Sequence, residues 1–506
     1  MKRYLLFTAC LVSTGIMQAQ QTLNTAENAV RYTTDNLTGT ARFRGLSGAM
    51  GAVGGDLSAM TINPAGAAIF NYNSGTASLS SYNVNNKSSY FGNTEKENYN
   101  NFDLNQIGAI FVFNNNNEAA TVRKFTLGFN YENNNSFYNR SFSRGVNTRN
   151  SIDQYFLRYA NGVGNEGAIS LNTLNNAYFE NLSYNDQQAY LGYNAYAFNP
   201  GTDPNGPAYV SNIPQTGNYY QENYTATSGF NGKVAFNFAA QLKERLYLGI
   251  NLNAHFTDYI ENTTFYEDTN NTSGAGMQEI QFDNQRYTYG GGFSFNLGAI
   301  YKFTEAFRAG IAYESPTWMT LRNEVSQRIA SYCPECDQNS TASNFVFDPA
   351  TVFVYDRYTI KNPAKWTASA AYVFGKSGLL SVDYTLKDYS NTEYKSHGYG
   401  AINDQLSSTL DLASTIRVGA EYRIKQLSLR AGYRYEESPY KTSRTIGDLN
   451  GATGGIGYSF GISRLDLAYS WYQRSYQSQM LPTAFPDSAR IKSTNNNITL
   501  SYTIDL

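Results

Sequence analysis

The stretch LYLGINLNAHFT, residues 246–257, alternates with a period of two. Leu246, Leu248, Ile250, Leu252, Ala254 and Phe256 fall on one face, with Tyr247, Gly249, Asn251, Asn253, His255 and Thr257 on the other. Successive side chains of an extended strand point to opposite sides, so this is a strand with one apolar face and one small or polar face. In a soluble sheet the apolar face meets a core; in a membrane barrel it meets lipid. One such strand does not separate the two cases. A long succession of them does.

The same alternation places strands near 74–84, 105–114, 123–133, 229–242, 245–259, 287–303 and 306–315. A second set falls near 364–375, 378–389, 413–424, 427–437, 451–461, 464–474 and 495–506. Short links at Lys243-Glu244, Thr304-Glu305, Gly375-Lys376-Ser377, Lys425-Gln426 and Gly461-Ile462-Ser463 alternate with long, Asn-, Ser-, Gly- and Tyr-rich ones. The largest long links are 134–228 and 316–363. Loop length segregated by end is the pattern of periplasmic turns and extracellular loops. The expected fold is therefore all-β, a transmembrane antiparallel β-barrel of about fourteen strands over 74–506, surrounded by outer-membrane lipid. The chain ends inside a strand in which Ile498, Leu500, Tyr502, Ile504 and Leu506 alternate. Such a strand is what barrel-assembly machinery reads during biogenesis.

Composition agrees. Only 15% of the residues are charged, the net charge is −2, and 43 of 506 residues are Tyr. That excludes a basic field for nucleic acid and suits aromatic girdles around a wet interior. At the N-terminus, Lys2 and Arg3 precede a short apolar run from Leu5 to Ile16, with Ala19 before a cut at Gln20. This is a signal peptide over 1–19, too short to span a membrane as a helix. Export directs the chain to the bacterial outer membrane, where Cys333 and Cys336, spaced C-P-E-C, are expected to form a local disulfide.

Residues 20–73 do not alternate. They contain Ala41-Arg42-Phe43-Arg44-Gly45-Leu46, a Gly- and Ala-rich run to Gly55, then Asp56 and Asn63-Pro64-Ala65-Gly66. So many small residues give little independent core, so the segment is expected to fold inside the barrel as a hatch.

These elements resemble the FadL/TodX-type outer-membrane transport proteins. The resemblance rests on Asn63-Pro64-Ala65 after Asp56, and on Gly310-Ile311-Ala312-Tyr313-Glu314-Ser315-Pro316. It continues in Val418-Gly419-Ala420-Glu421-Tyr422, in Leu429 to Tyr435 with Pro439, and in Leu465-Asp466-Leu467-Ala468-Tyr469. It implies a fourteen-stranded barrel plugged by an N-terminal hatch, with Asp56, Asn63, Pro64 and Ala65 at the gate. It further implies passive passage of hydrophobic small molecules, long-chain fatty acids foremost, without a cofactor. FadL-like barrels also serve as docking platforms in protein export, and haem acquisition is a third activity attached to such relatives.

Parity assigns Arg308, Asp383, Arg417, Glu421, Arg423, Arg430, Arg434, Glu436 and Asp466 to the lumen, where they avoid the ~2–4 kcal/mol that Arg costs at the bilayer midplane. The tight turn at Lys425-Gln426 pairs Ile424 with Leu427, which sets Glu421 opposite Arg430 and Arg417 opposite Arg434. Two like charges face to face call for an anion between them. A hatch carboxylate such as Asp56 and a ligand carboxylate both fit that requirement, so Arg417 and Arg434 are candidate ligand-binding residues. Catalytic constellations are absent: His255 and His397 are the only histidines, no P-loop or dinucleotide motif is present, and no metal site is expected.

Overall fold

The computed structural model describes residues 24–506 except 118–119, 164–166, 204, 216, 338–340 and 482–485; the expected signal segment 1–19 lies outside the described residues. The wall contains β1 (Ser74–Tyr90), β2 (Asn93–Asn114), β3 (Val122–Ser136), β4 (Tyr219–Leu242), β5 (Leu246–Asp268), β6 (Glu279–Lys302) and β7 (Phe307–Glu314). It continues with β8 (Lys365–Val373), β9 (Gly378–Asp388), β10 (Leu412–Ile424), β11 (Leu427–Glu436), β12 (Leu449–Ser459), β13 (Ser463–Gln479) and β14 (Ser488–Asp505). Each strand pairs antiparallel with the next, and β1 pairs with β14 from Ser74–Asp505 to Ser89–Arg490, closing a fourteen-stranded ring. No described helix is long and apolar enough to cross a membrane.

Exposed side chains such as Leu248, Leu252, Leu380, Leu429 and Leu467 form the outer belt. They stand outward because lipid, not protein, covers them. Along β5 the outward positions change from Phe256 to Asp258, Asn262 and Thr264, and along β1 from Leu79 to Asn83, Asn85 and Lys87. The strands thus run well past the belt into the extracellular space.

This extension corrects the sequence reading in two places. Strand 139–147 pairs with the top of β4, so the expected loop 134–228 narrows to the stretch between Asn147 and Tyr219. The expected loop 316–363 holds strand 317–332, paired with β6, and strand 358–362. Beyond the lipid both faces of a strand are polar, so apolar alternation has nothing to mark. The strict alternation of loop lengths also breaks at the outer end of β1. There only Phe91 and Gly92 link β1 to β2, both with positive φ, as a two-residue hairpin turn demands.

β1 and β2 do not pair in one continuous register. Ser78 pairs with Gln106 but Leu79 pairs with Leu104, leaving Asn105 as an extra residue in β2, a β-bulge. Asn105 and Gln106 are both buried, whereas Leu104 and Ile107 are both exposed.

The lumen is filled by α1 (Ala26–Thr33), α2 (Ala41–Gly45), α3 (Ala59–Ile62) and a 3-10 turn at Pro64–Ile69. The Thr25 hydroxyl accepts the Asn28 N–H and the Thr40 hydroxyl accepts the Phe43 N–H, capping α1 and α2. From 37 to 68 every residue is buried except Gly55 and Ile62. Above the barrel, α4 (Asp153–Ala160), α5 (Leu171–Asn176) and α6 (Tyr184–Asn194) form a cap. Its core gathers Phe156, Leu191 and Phe198 against Ile280 and Phe282 of β6.

Candidate functional site: a cavity between hatch and cap

A cavity of about 580 Å³ lies between α1 below and the cap above. That size falls within the range of small-molecule pockets. Tyr155, Tyr159 and Tyr184 reach it from the cap, Phe137, Tyr259 and Phe282 from the wall, and Met480 and Leu481 from the outer end of β13. The opposite part of the lining is charged. Arg31 of α1 stands 3.5 Å from Glu261 and its guanidinium lies 4.4 Å from the Tyr259 ring centre; Arg286 also pairs with Glu261. The Nε atoms of Arg286 and Arg474, both lining residues, are buried without a hydrogen-bond partner among the described residues. The site is therefore an aromatic chamber with guanidinium groups in its wall.

The floor is fixed to the wall at two places. Asn63 donates through Nδ2 to the Gly51 and Ala299 carbonyls at 2.9 and 3.1 Å, and its Oδ1 accepts the Ala65 N–H at 3.1 Å. A Cβ at Gly298 would stand 2.0 Å from Asn63 Oδ1, and one at Gly249 would stand 2.4 Å from the Pro64 carbonyl carbon. Glycines in the wall thus form the recess that receives Asn63-Pro64-Ala65. On the other side of the lumen, Gly419 and Gly432 receive Leu46 and Ser47 in the same manner. Asp56 sits inside the hatch, accepting the Thr40 hydroxyl at 2.8 and 2.9 Å and the Ser58 N–H at 2.9 Å.

The lumenal charges form a network. Glu421 lies opposite Arg430, with an ion pair at 2.7 Å, and also holds Arg42 of the hatch at 3.0 Å. Arg430 reaches on to Asp466 at 2.6 Å. Arg417 and Arg434 are opposite each other in register, but Asp56 is not the anion beside them. Arg434 pairs with Glu436 and donates to the Asp35 carbonyl at 3.0 Å, while Arg417 donates to Thr385 at 3.1 Å. The space there, bordered by Asp35, Lys365, Lys387 and Glu436, measures about 20 Å³. That is room for a water and not for an organic ligand. Elsewhere, His255 shares a 2.8 Å hydrogen bond with Ser294, and Cys333 and Cys336 form a disulfide at the end of strand 317–332.

Sequence reasoning missed Arg31, Glu261, Arg286 and the cap helices. The signals were present only locally: Thr25 followed by Glu27 marks a helix start, as does Ser183 followed by Asp186.

A further feature flanks the cavity. β3 pairs with β2 only along Gln106–Asn114, so β2 from Asn93 to Asn105 has no ladder on that side. Side chains bridge the gap instead: Asn133 donates to Asp103, Tyr99 stacks on Tyr138 at 6.0 Å, and Arg144 pairs with Glu95 at 2.7 Å. The wall has a seam there.

A closed barrel, plugged by its own N-terminal segment and enclosing a chamber above the plug, has the architecture of an outer-membrane transport protein. The sequence model described as outer membrane protein transport protein (OMPP1/FadL/TodX) matches residues 212–499, and the chain belongs to that family. No curated protein matches. Among solved structures, a Pseudomonas aeruginosa FadL homologue is 13% identical with a TM-score of 0.52, over 93% of this chain and 99% of that one. The Pseudomonas putida toluene transporter TodX is 14% identical with a TM-score of 0.48, covering 94% and 100%. The Ralstonia pickettii toluene transporter TbuX is 16% identical with a TM-score of 0.47, covering 93% and 99%. At these identities the first likeness speaks for the fold alone. The barrel is thus a member of a family of outer-membrane transport proteins.

Proposed function

We propose that this barrel passes hydrophobic small molecules inward without an energy source, and that its preferred cargo is a long-chain fatty acid. The observation that carries this reading is the chamber over the hatch, aromatic on one side and lined by Arg31, Arg286 and Arg474 on the other. An acyl chain matches the aromatic surface, and a carboxylate matches a guanidinium. In this reading Arg434 holds the hatch to the wall through Asp35, Arg417 braces the wall through Thr385, and neither contacts the cargo. The glycine recesses keep the hatch seated, so the cargo leaves sideways through the seam between β2 and β3.

The test is uptake in a strain lacking the protein, complemented with wild type or with Arg286→Ala/Arg474→Ala. The double variant is expected to lose about tenfold in fatty-acid uptake, the size of one charge-assisted hydrogen bond, while uptake of an uncharged hydrocarbon stays the same. Equal loss for both cargoes would remove the fatty-acid preference. Normal uptake of every hydrophobic cargo in the deletion strain would remove the transport reading itself.

A further inference from the structure

The outward faces of β2, β1 and β14 change character in steps, row by row across the three strands. Leu104, Leu79 and Leu500 lie directly opposite one another and are exposed to lipid. Higher up, Asn100, Asn83 and Asn496 form the equivalent row, and Asn98 and Asn85 extend the amide surface with a 2.6 Å hydrogen bond. Above these, Lys96, Lys87 and Lys492 lie directly opposite one another, all exposed. Arg490 adds a fourth cation one outward position further along β14.

Three like charges in register across adjacent strands repel one another. The surroundings do not neutralise them. Glu95 and Glu97 alternate to the opposite face of β2, where Glu95 is taken by Arg144. The β13 residues beside Lys492 and Arg490 are the neutral Ser475 and Gln477. None of the four cations has a carboxylate within ion-pair distance among the described residues. Lys492 stands six residues beyond the lipid-facing Ile498 on β14. At ~3.3 Å per residue and a tilt of ~40°, the row sits about 15 Å above the hydrocarbon edge.

We propose that this face binds an anionic glycolipid of the outer leaflet. Its acyl chains lie on the leucine row, its sugars meet the asparagine rows, and its phosphate or carboxylate groups rest on the lysines. The order of surfaces matches the order of groups in such a molecule. The height of the lysines places the anions on the sugars, beyond the point where the acyl chains begin. The bound anion also relieves the repulsion within the row.

The full-length protein in detergent is the sample, with lipopolysaccharide carrying a phosphorylated core as the probe and melting temperature as the readout. Lipopolysaccharide is expected to raise the melting temperature of the wild type. Lys87→Gln/Lys96→Gln/Lys492→Gln is expected to bind on the order of a hundredfold more weakly. Lys243→Gln/Lys376→Gln/Lys425→Gln, an equal charge change at the periplasmic turns, keeps the full response. Lys87→Glu, which turns the row into alternating charges, melts higher than wild type without lipid and no longer responds to it. The proposal is overturned if the two triple variants respond alike or if Lys87→Glu melts lower. It is also overturned if inorganic phosphate alone reproduces the wild-type shift, which would assign a simple anion site.

Discussion

The ladder between β4 and β5 runs unbroken from Tyr220–Asp268 to Leu242–Leu246, whereas that between β2 and β3 covers only Gln106–Asn114. β4 and β5 line the chamber directly, and β3 reaches it through Asn135 and Ser136. One side of it is closed by main-chain hydrogen bonds, which no rotamer change releases. The other is closed above Gln106 by a few side chains, each free to swing by rotation about single bonds. The same contrast separates the hatch, seated in glycine recesses, from the seam beside it. On the function proposed above, the compliant part is the wall rather than the plug.

The largest effect is expected from locking the seam. Asp103→Cys/Asn133→Cys, bridged by a short bifunctional thiol reagent, should lower uptake at least about tenfold, a change of roughly 1.4 kcal/mol or more in the barrier. The matching lock on the hatch is Ser47→Cys/Thr453→Cys, at positions whose hydroxyls are 2.9 Å apart. Uptake should survive that disulfide. Loss of uptake in the second variant but not in the first would reverse the comparison and make the hatch the moving part.

A smaller effect is expected at the arginines. Arg417→Ala/Arg434→Ala takes two cations from a buried network and leaves Glu436 with Arg474 alone, at 2.8 Å. Removing partners from buried charges costs about 3–5 kcal/mol. The melting temperature should fall by several degrees with uptake unchanged. Unchanged stability with lost uptake would return these residues to the cargo.

The smallest effect concerns the cap. Glu267 stands on β5 beyond the lipid belt, where it accepts the Ile152 N–H at 3.1 Å and the Gln221 amide at 2.7 Å and bonds to Ser151. Burial pushes its carboxyl up to about 8, against the hydrogen bonds, which favour the charged form. The docked cap therefore holds a proton that the released cap gives up. Between the ordinary carboxyl range near 4.5 and about 8, docking weakens as pH rises, and it is flat below that window. Hydrogen exchange of α4 should quicken from pH 5 to pH 8 beyond its intrinsic rate in wild type, and not in Glu267→Gln. An equal excess in both proteins would place the proton elsewhere.

What was legible in the sequence followed the lipid. Wherever an outward face meets hydrocarbon, as in Leu246–Phe256, period-two hydrophobicity marks the strand and its register, down to Glu421 opposite Arg430. The upper halves of β1, β2 and β6 left no such trace, because Asn83, Lys87 and Gln285 face water outside while Asn86 and Asn284 face a wet interior. Asn63-Pro64-Ala65 was visible as a motif, yet its seat was not, since Gly249, Gly298 and Gly310 are far away in sequence and look like ordinary strand glycines. Asp56 was placed near the arginines on charge alone. Thr40 and Ser58, its actual partners, belong to the local geometry of the hatch, which charge does not encode.

The single extra residue in β2 has an effect out of proportion to its size. Below Asn105 the odd-numbered residues Ile107 and Phe111 look outward; above it the even-numbered ones do. Had the parity run on unchanged, Asp103, Glu97 and Glu95 would look outward and Lys96 would look in. Carboxylates would then sit beside Lys87, and the outer surface of this corner would be neutral or acidic. One inserted asparagine thus decides the sign of the face that the protein shows to its membrane.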